Sequence, residues 1–233
     1  MQETNNPRPG RRFEPVHELA LLQPALNACA ALPGAGRGLL VVREMTGPFG
    51  IPDLTALVGD PKRLRSRLEL GVPPLLNRAD AGIVSATHPA ASLSAQQISE
   101  RLHWPEDTIV RRLPGLVRIG ALNEVRAGRF VRPAALAPLG RLYVVEAKVK
   151  EWGRALKQAR KYSVWADGYV LVMGPLSAAV TQELEVEVDR DRAGLVVAGR
   201  WIRRPVMHRL PNVRRLWAAE HLVDAVRTTS SSA

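Results

Sequence analysis

Cysteine is nearly absent from this chain: Cys29 stands alone among 233 residues, which excludes an internal disulfide and leaves no thiolate partner for a metal. It lies in an Ala/Leu-rich helical pattern, where an inert buried thiol is expected. Long hydrophobic runs are missing as well. Nothing approaches the roughly 18 apolar residues of a membrane-spanning helix, and Met1 to Arg12 is polar, Pro-rich and basic, without the apolar centre of a secretion signal. The expected compartment is the cytoplasm. His17, His88, His103, His208 and His221 lack zinc-ligand spacing, and Leu21 occupies the place where a zinc-protease helix beginning His17-Glu18 needs its second histidine. There is no Gly-x-Ser-x-Gly elbow. Gly34-Ala-Gly-Arg-Gly38 precedes a strand and lacks Lys-Ser/Thr, so it reads as a loop and not a phosphate cradle.

Acidic residues are the other deficit. Lys and Arg number 33 against 22 Asp and Glu, a net charge of +11, and the excess is localised. Residues 60–141 hold 13 basic against 7 acidic side chains and residues 200–233 hold 7 against 2, while 1–59 and 142–199 are neutral. Such patches suit a polyanion, because cations that neutralise phosphates release condensed counterions. The 46% hydrophobic content is enough for a real core in one domain or two small ones.

Apolar spacing gives the elements. Pro15 opens a helix that stops before Pro33-Gly34; Leu39 to Met45 reads as a strand, Gly47-Pro-Phe-Gly50 as a turn, and Pro52 to Val58 as the next strand. Later segments read as a strand at Leu142 to Val149, a helix at Trp152 to Ala166, a strand at Gly168 to Met173, a helix at Val180 to Val188 and a strand at Leu195 to Val197, followed by a basic segment. Residues 1–12 and 228–233 read as disordered tails.

The chemistry sits in two short stretches, Gly-Ile-Pro-Asp at Gly50 to Asp53 and Val-Val-Glu-Ala-Lys at Val144 to Lys148. Strand side chains alternate, so Glu146 and Lys148 share one face and Val145, Ala147 and Val149 take the other. With the Asp53 strand alongside, two carboxylates and a lysine converge, the set that a hard divalent cation and an activated water require. These residues resemble the PD-(D/E)xK nucleases of the restriction-endonuclease-like fold, with Pro52-Asp53 as one half-motif and Glu146-Ala147-Lys148 as the other. Gln158 and Tyr162, four apart on the following helix, look like the Q-x-x-x-Y signature of the RecB-like branch.

The resemblance covers residues 13 to 59 and 142 to about 204. It implies an α/β fold, a mixed sheet flanked by helices, with a discontinuous core at 13–61 and 142–227. It also implies hydrolysis of DNA with Mg²⁺ or Mn²⁺: Asp53 and Glu146 would hold the metal, Glu18 or Glu44 would add a further acid, and Lys148, Gln158 and Tyr162 would complete the catalytic set. A homodimer is an arrangement found in that family.

Residues 62–141 are far longer than an ordinary connection and read as an inserted domain. A helix through Leu75 to Ala86, a second at Ser94 to His103, a third from Glu106 toward Ile119, and short strands at Gly120 to Val125 and Gly128 to Arg132 follow the order of a winged helix-turn-helix, which this stretch is similar to. Arg111 and Arg112 on the third helix and Arg126, Arg129 and Arg132 around the hairpin are the candidate DNA contacts. Arg203 and Arg204 join them from the C-terminal segment, where Trp201 is a candidate base-stacking ring. Two alternatives stand beside a nuclease that grips DNA: a non-catalytic DNA-binding regulator on an inactivated core, and a nuclease subunit whose winged helix binds a protein partner in a repair or phage-defence complex.

Overall fold

The computed structural model describes residues 19–207 and 210–231. In chain order these form α1 (Leu22–Ala30), a single 3-10 turn (Ala35–Arg37), β1 (Leu39–Arg43) and β2 (Leu54–Val58). Four helices follow: α2 (Pro61–Glu69), α3 (Arg78–Ala86), α4 (Ala95–Leu102) and α5 (Glu106–Arg118). A hairpin of β3 (Asn123–Arg126) and β4 (Arg129–Val131) then leads to β5 (Arg141–Lys148). The chain ends with α6 (Trp152–Tyr162), β6 (Gly168–Met173), α7 (Ala178–Arg190), β7 (Gly194–Val197), β8 (Arg200–Arg203) and α8 (Asn212–Ser231).

The fold is α/β. One mixed sheet runs β1-β2-β5-β6-β7-β8, parallel between β5, β6 and β7 and antiparallel elsewhere. Parallel neighbours need crossovers, and α6 and α7 supply them. Helix α1 covers one face of the sheet, placing Ala25, Ala28 and Cys29 against Tyr143, Val145, Val170 and Val172. On the other face α6, α7 and α8 pack over Leu142, Val144, Leu171 and Leu195. Burial pushes the Cys29 thiol up to about 12, which leaves it un-ionised.

Local sequence fixes the helix starts. Asp60 accepts from the Lys62 N–H and Asn77 from that of Ala79, while Ser94 and Gln97 form a reciprocal capping box. Helices α3, α4 and α5 and the hairpin surround their own cluster, in which Ile83, Ile98, Ile109, Leu113 and Phe130 are buried. Leu93 bridges to Phe130 at the hairpin's edge.

Several elements differ from the expectations: α2 and β8 were not expected, the helix expected from Leu75 begins at Arg78, and the strand expected to reach Met45 ends at Arg43. The second strand begins at Leu54, leaving Asp53 just ahead of it, and α6 ends at Tyr162, four residues short of Ala166. The larger difference is α8, a 20-residue helix where a basic segment and a tail were expected. In its last turn the Thr228 and Thr229 hydroxyls donate to the Asp224 and Ala225 carbonyls one turn back.

Helix α8 serves two clusters at once. Leu216 and Trp217 complete the α3–α5 cluster, and Ala218, Ala219, Leu222 and Val223 pack on the sheet side. Between them lies a buried ion pair. Arg67 donates from Nε to Glu220 Oε1 at 2.8 Å and from Nη2 to Oε2 at 2.6 Å, and the Leu75 N–H donates to Oε2 at 2.9 Å. Two further guanidinium donors reach the Val72 and Pro73 carbonyls. Four of the five guanidinium N–H donors and both carboxylate oxygens are hydrogen-bonded, which offsets much of the cost of burying two charges.

Candidate active site

β5 is buried from Leu142 to Lys148, and alternation sends Glu146 and Lys148 to the face that α6 covers. The β2–β5 register pairs Leu54 with Val145, so Asp53, one residue earlier, stands opposite Glu146. Asp53 Oδ2 accepts a hydrogen bond from the Ala147 N–H at 2.7 Å, which holds the carboxylate beside β5 just beyond the last β2 pair. Lys148 Nζ faces Glu146 Oε1 at 3.5 Å. Glu146 is 2% exposed and Lys148 5%, whereas Asp53 is half-buried and marks the open side.

Tyr162 closes the site from above. Its hydroxyl donates to the Ile51 carbonyl at 3.2 Å and also lies within hydrogen-bonding reach of Glu146. Burial pushes its pKa up, and the charges of Glu146 and Asp53 push it further, so the phenol keeps its proton. The loop carrying Asp53 is moulded to the aromatic rings of this face. Gly50 has φ +85° with the Tyr162 ring 3.0 Å from where a Cβ would lie, and a Cβ on Gly47 would sit 2.6 Å from Trp165. Trp165 Nε1 donates to the Phe49 carbonyl, and from α8 His221 Nδ1 donates to that of Thr46 at 3.1 Å.

Gln158 lies one turn before Tyr162, with Oε1 buried and lacking a hydrogen-bond partner among the described residues. Thr55 was not anticipated. It is fully buried on the Glu146 face, opposite Val144, with Oγ1 likewise without a partner among the described residues. Its only sequence signal is a single hydroxyl inside the apolar Leu54–Val58 run.

Glu44 follows β1 with φ 48°, its N–H donating to the Asp53 carbonyl while its side chain is exposed. Glu18 lies outside the described residues. Among those described, no group of three or more His, Cys, Asp or Glu is arranged to hold a metal; the carboxylates that meet here are Asp53 and Glu146. Two carboxylates are compatible with Mg²⁺, which keeps several waters and takes one or two protein carboxylates.

The candidate DNA contacts divide sharply. Arg111 and Arg126 are exposed. Arg112 instead donates to Asp80 on α3 at 2.8 Å, Arg129 to Gln97 Oε1 and the Ser92 carbonyl, and Arg132 to the carbonyls of Thr87 and Leu136. Partial burial lowers the Arg132 pKa. Arg203 is ion-paired with Asp189, and Arg204 donates to the Ala31 carbonyl while lying over the Trp201 ring at 5.3 Å. That ring packs on the α1 face, opposite to Glu146, and β8 is three strands from β5, about 14 Å at sheet spacing.

No protein-family model matches the chain, and searches of curated proteins and of solved structures return no match. Among the described residues no helix is long and apolar enough to cross a membrane.

Proposed function

We propose that the chain is a metal-dependent nuclease of the restriction-endonuclease-like type, hydrolysing phosphodiester bonds at Asp53, Glu146 and Lys148, with the α3–α5 and hairpin segment as an inserted winged helix-turn-helix. One observation carries the reading: a half-buried aspartate, a buried glutamate and a buried lysine meet on one sheet face beneath a tyrosine that stays protonated. Charged residues toward the end of a buried strand cost several kcal/mol unless they are paired or serve a site.

Asp53 and Glu146 would hold a divalent cation, Mg²⁺ or Mn²⁺, which supplies Lewis acidity and a bound water of lowered pKa. Lys148 offsets negative charge growing on the phosphate, a stabilisation strongest where water is excluded. Tyr162 fixes the Ile51 carbonyl and thereby the approach of Asp53. Gln158 and Thr55 supply unspent polar atoms around it.

A second reading, a DNA-binding scaffold on an inactive core, is favoured by the closed Glu146–Lys148 pair, two charges that already compensate each other behind a nearly complete cover. Incubation of the purified chain with single- and double-stranded DNA and Mg²⁺ or Mn²⁺ separates the two. The nuclease reading expects chelator-sensitive cleavage that disappears in Asp53→Asn. DNA binding without cleavage across both metals would select the scaffold.

A further inference from the structure

Helix α6 covers the candidate site with one side and carries charge of a single sign along another. Lys150, just ahead of the helix, and Arg154, Lys157 and Lys161 on it are all exposed, and they follow one another at steps of four, three and four residues, which sets them in one row. We propose that this row is a phosphate-binding track that takes the backbone of a nucleic-acid strand beside Asp53. The choice of nucleic acid among polyanions rests on the nuclease reading, whereas the binding of a polyanion does not.

The row is uncompensated. Among residues 150–162 the one acid is Glu151, which meets Arg154 at 3.2 Å through two side chains that are both more than half exposed. Lys150, Lys157 and Lys161 form no ion pair among the described residues. The other cation of α6, Arg160, lies on the opposite flank and is taken up by Glu187 and Asp191. Residues 142–199 sum to neutral only because five of their eight acids, Glu183, Glu185, Glu187, Asp189 and Asp191, stand on or just after α7.

Such a row is unfavourable for the helix alone. Like charges three and four residues apart repel, where an exposed helix face ordinarily gains from alternating signs. Arg154 stands in the first turn of α6, which holds no acid, and positive charge is disfavoured at that end of the helix dipole. A chain of phosphates laid along the row relieves both, and it releases its own condensed counterions in doing so.

Position ties the row to the site. Arg160 faces α7, which packs on β7, so the opposite flank of α6 faces β2 and the Asp53 that precedes it. On that flank Gln158 borders the row, four residues after Arg154 and three before Lys161, and Tyr162 follows one turn later. Tyr162 and Trp165 bond the Ile51 and Phe49 carbonyls of the loop that carries Asp53. From Arg154 to Lys161 the row runs about 10 Å, the axial rise of about three phosphates of one duplex strand.

The test measures binding in EDTA, which separates it from cleavage. The full chain is titrated into a fluorescein-labelled DNA strand, single and as a duplex, and anisotropy is followed at several salt concentrations. The triple variant Lys150→Gln, Lys157→Gln, Lys161→Gln changes only exposed side chains, and circular dichroism checks its fold. It should bind about tenfold or more weakly at low salt, and its slope of log affinity against log salt should be shallower by about 2–3, as expected for three lost phosphate contacts. The control Lys62→Gln, Arg63→Gln, Arg65→Gln removes the same net charge from exposed positions of α2, which follows the opposite end of β2, and should change affinity by about threefold or less. A parent that binds neither DNA at low salt, a row variant that keeps the parent's affinity and slope, or a control that loses as much as the row variant would overturn the proposal. Loss of binding in the row variant with no cleavage by the parent upholds the track and removes the nuclease; cleavage by the parent with binding indifferent to the row does the reverse.

Discussion

Breaking the Arg67–Glu220 pair is the most informative perturbation of the fold, because it joins α2, the loop before α3 and the C-terminal helix across 153 residues of sequence. Both side chains are at most 1% exposed. In Glu220→Gln an amide replaces one carboxylate oxygen, leaving the guanidinium without its counter-charge and the Leu75 N–H with a weaker acceptor. In Arg67→Met the carboxylate keeps the Leu75 N–H but loses the guanidinium. Each single change should cost about 3–5 kcal/mol, the usual penalty for removing one member of a buried pair. That is a large share of the roughly 5–15 kcal/mol that holds a typical domain folded. Arg67→Met with Glu220→Gln removes both charges and should be less destabilised than the sum of its singles by about 2 kcal/mol or more, the signature of direct coupling. Urea unfolding followed by circular dichroism gives the three values from midpoint and slope. Losses under about 1 kcal/mol for both singles, or strict additivity, would refute the view that this pair ties the two clusters together.

A fragment of residues 62–141 lacks Leu216, Trp217 and Glu220, and should melt at lower urea than the same segment in the intact chain, as hydrogen exchange would resolve. Gly50→Ala should cost about 1–3 kcal/mol, since its backbone lies in the left-handed region and the new methyl meets Tyr162; calorimetry measures it, and any cleavage activity should fall with it. Burial depresses the His221 pKa, so the unfolded chain binds that proton more readily. Its contribution to stability should be complete above the unfolded value of about 6.5 and lost as pH falls through the folded value, a slope that His221→Gln abolishes in pH-dependent melts. Tyr162→Phe should lose about 1 kcal/mol with the Ile51 bond and lower cleavage more than DNA affinity.

Most strands and helices were legible because their signals are local, whereas α2 and β8 were not read from the sequence. Alternation in Val144 to Lys148 put both charges on one side. Helix α8 was illegible for the opposite reason: Glu220 and His221 face inward, and their partners, Arg67 and the Thr46 carbonyl, are far away in sequence. Polar residues at buried positions blur the apolar stripe that marks a helix. Charge counting found the basic segment but not the direction of each guanidinium. Arg112, Arg129 and Arg132 brace the α3–hairpin region because unpaired carbonyls at Thr87, Ser92 and Leu136 and the Asp80 carboxylate lie within reach, a circumstance only the packed chain creates. At the candidate site, Thr55 was hidden by its apolar neighbours; alternation put Glu146 and Lys148 on one face, while Tyr162 was singled out only through the family resemblance.

The central claim is that Asp53, Glu146 and Lys148 act together on a phosphodiester. Single-turnover cleavage with Mn²⁺ at saturating DNA, comparing the parent chain with Lys148→Met and Glu146→Gln, addresses it most directly. The account predicts rates lower by about 100-fold or more in each variant, a barrier rise of about 2.7 kcal/mol, with DNA affinity and folded spectra retained. Parent-level cleavage in both variants would contradict it.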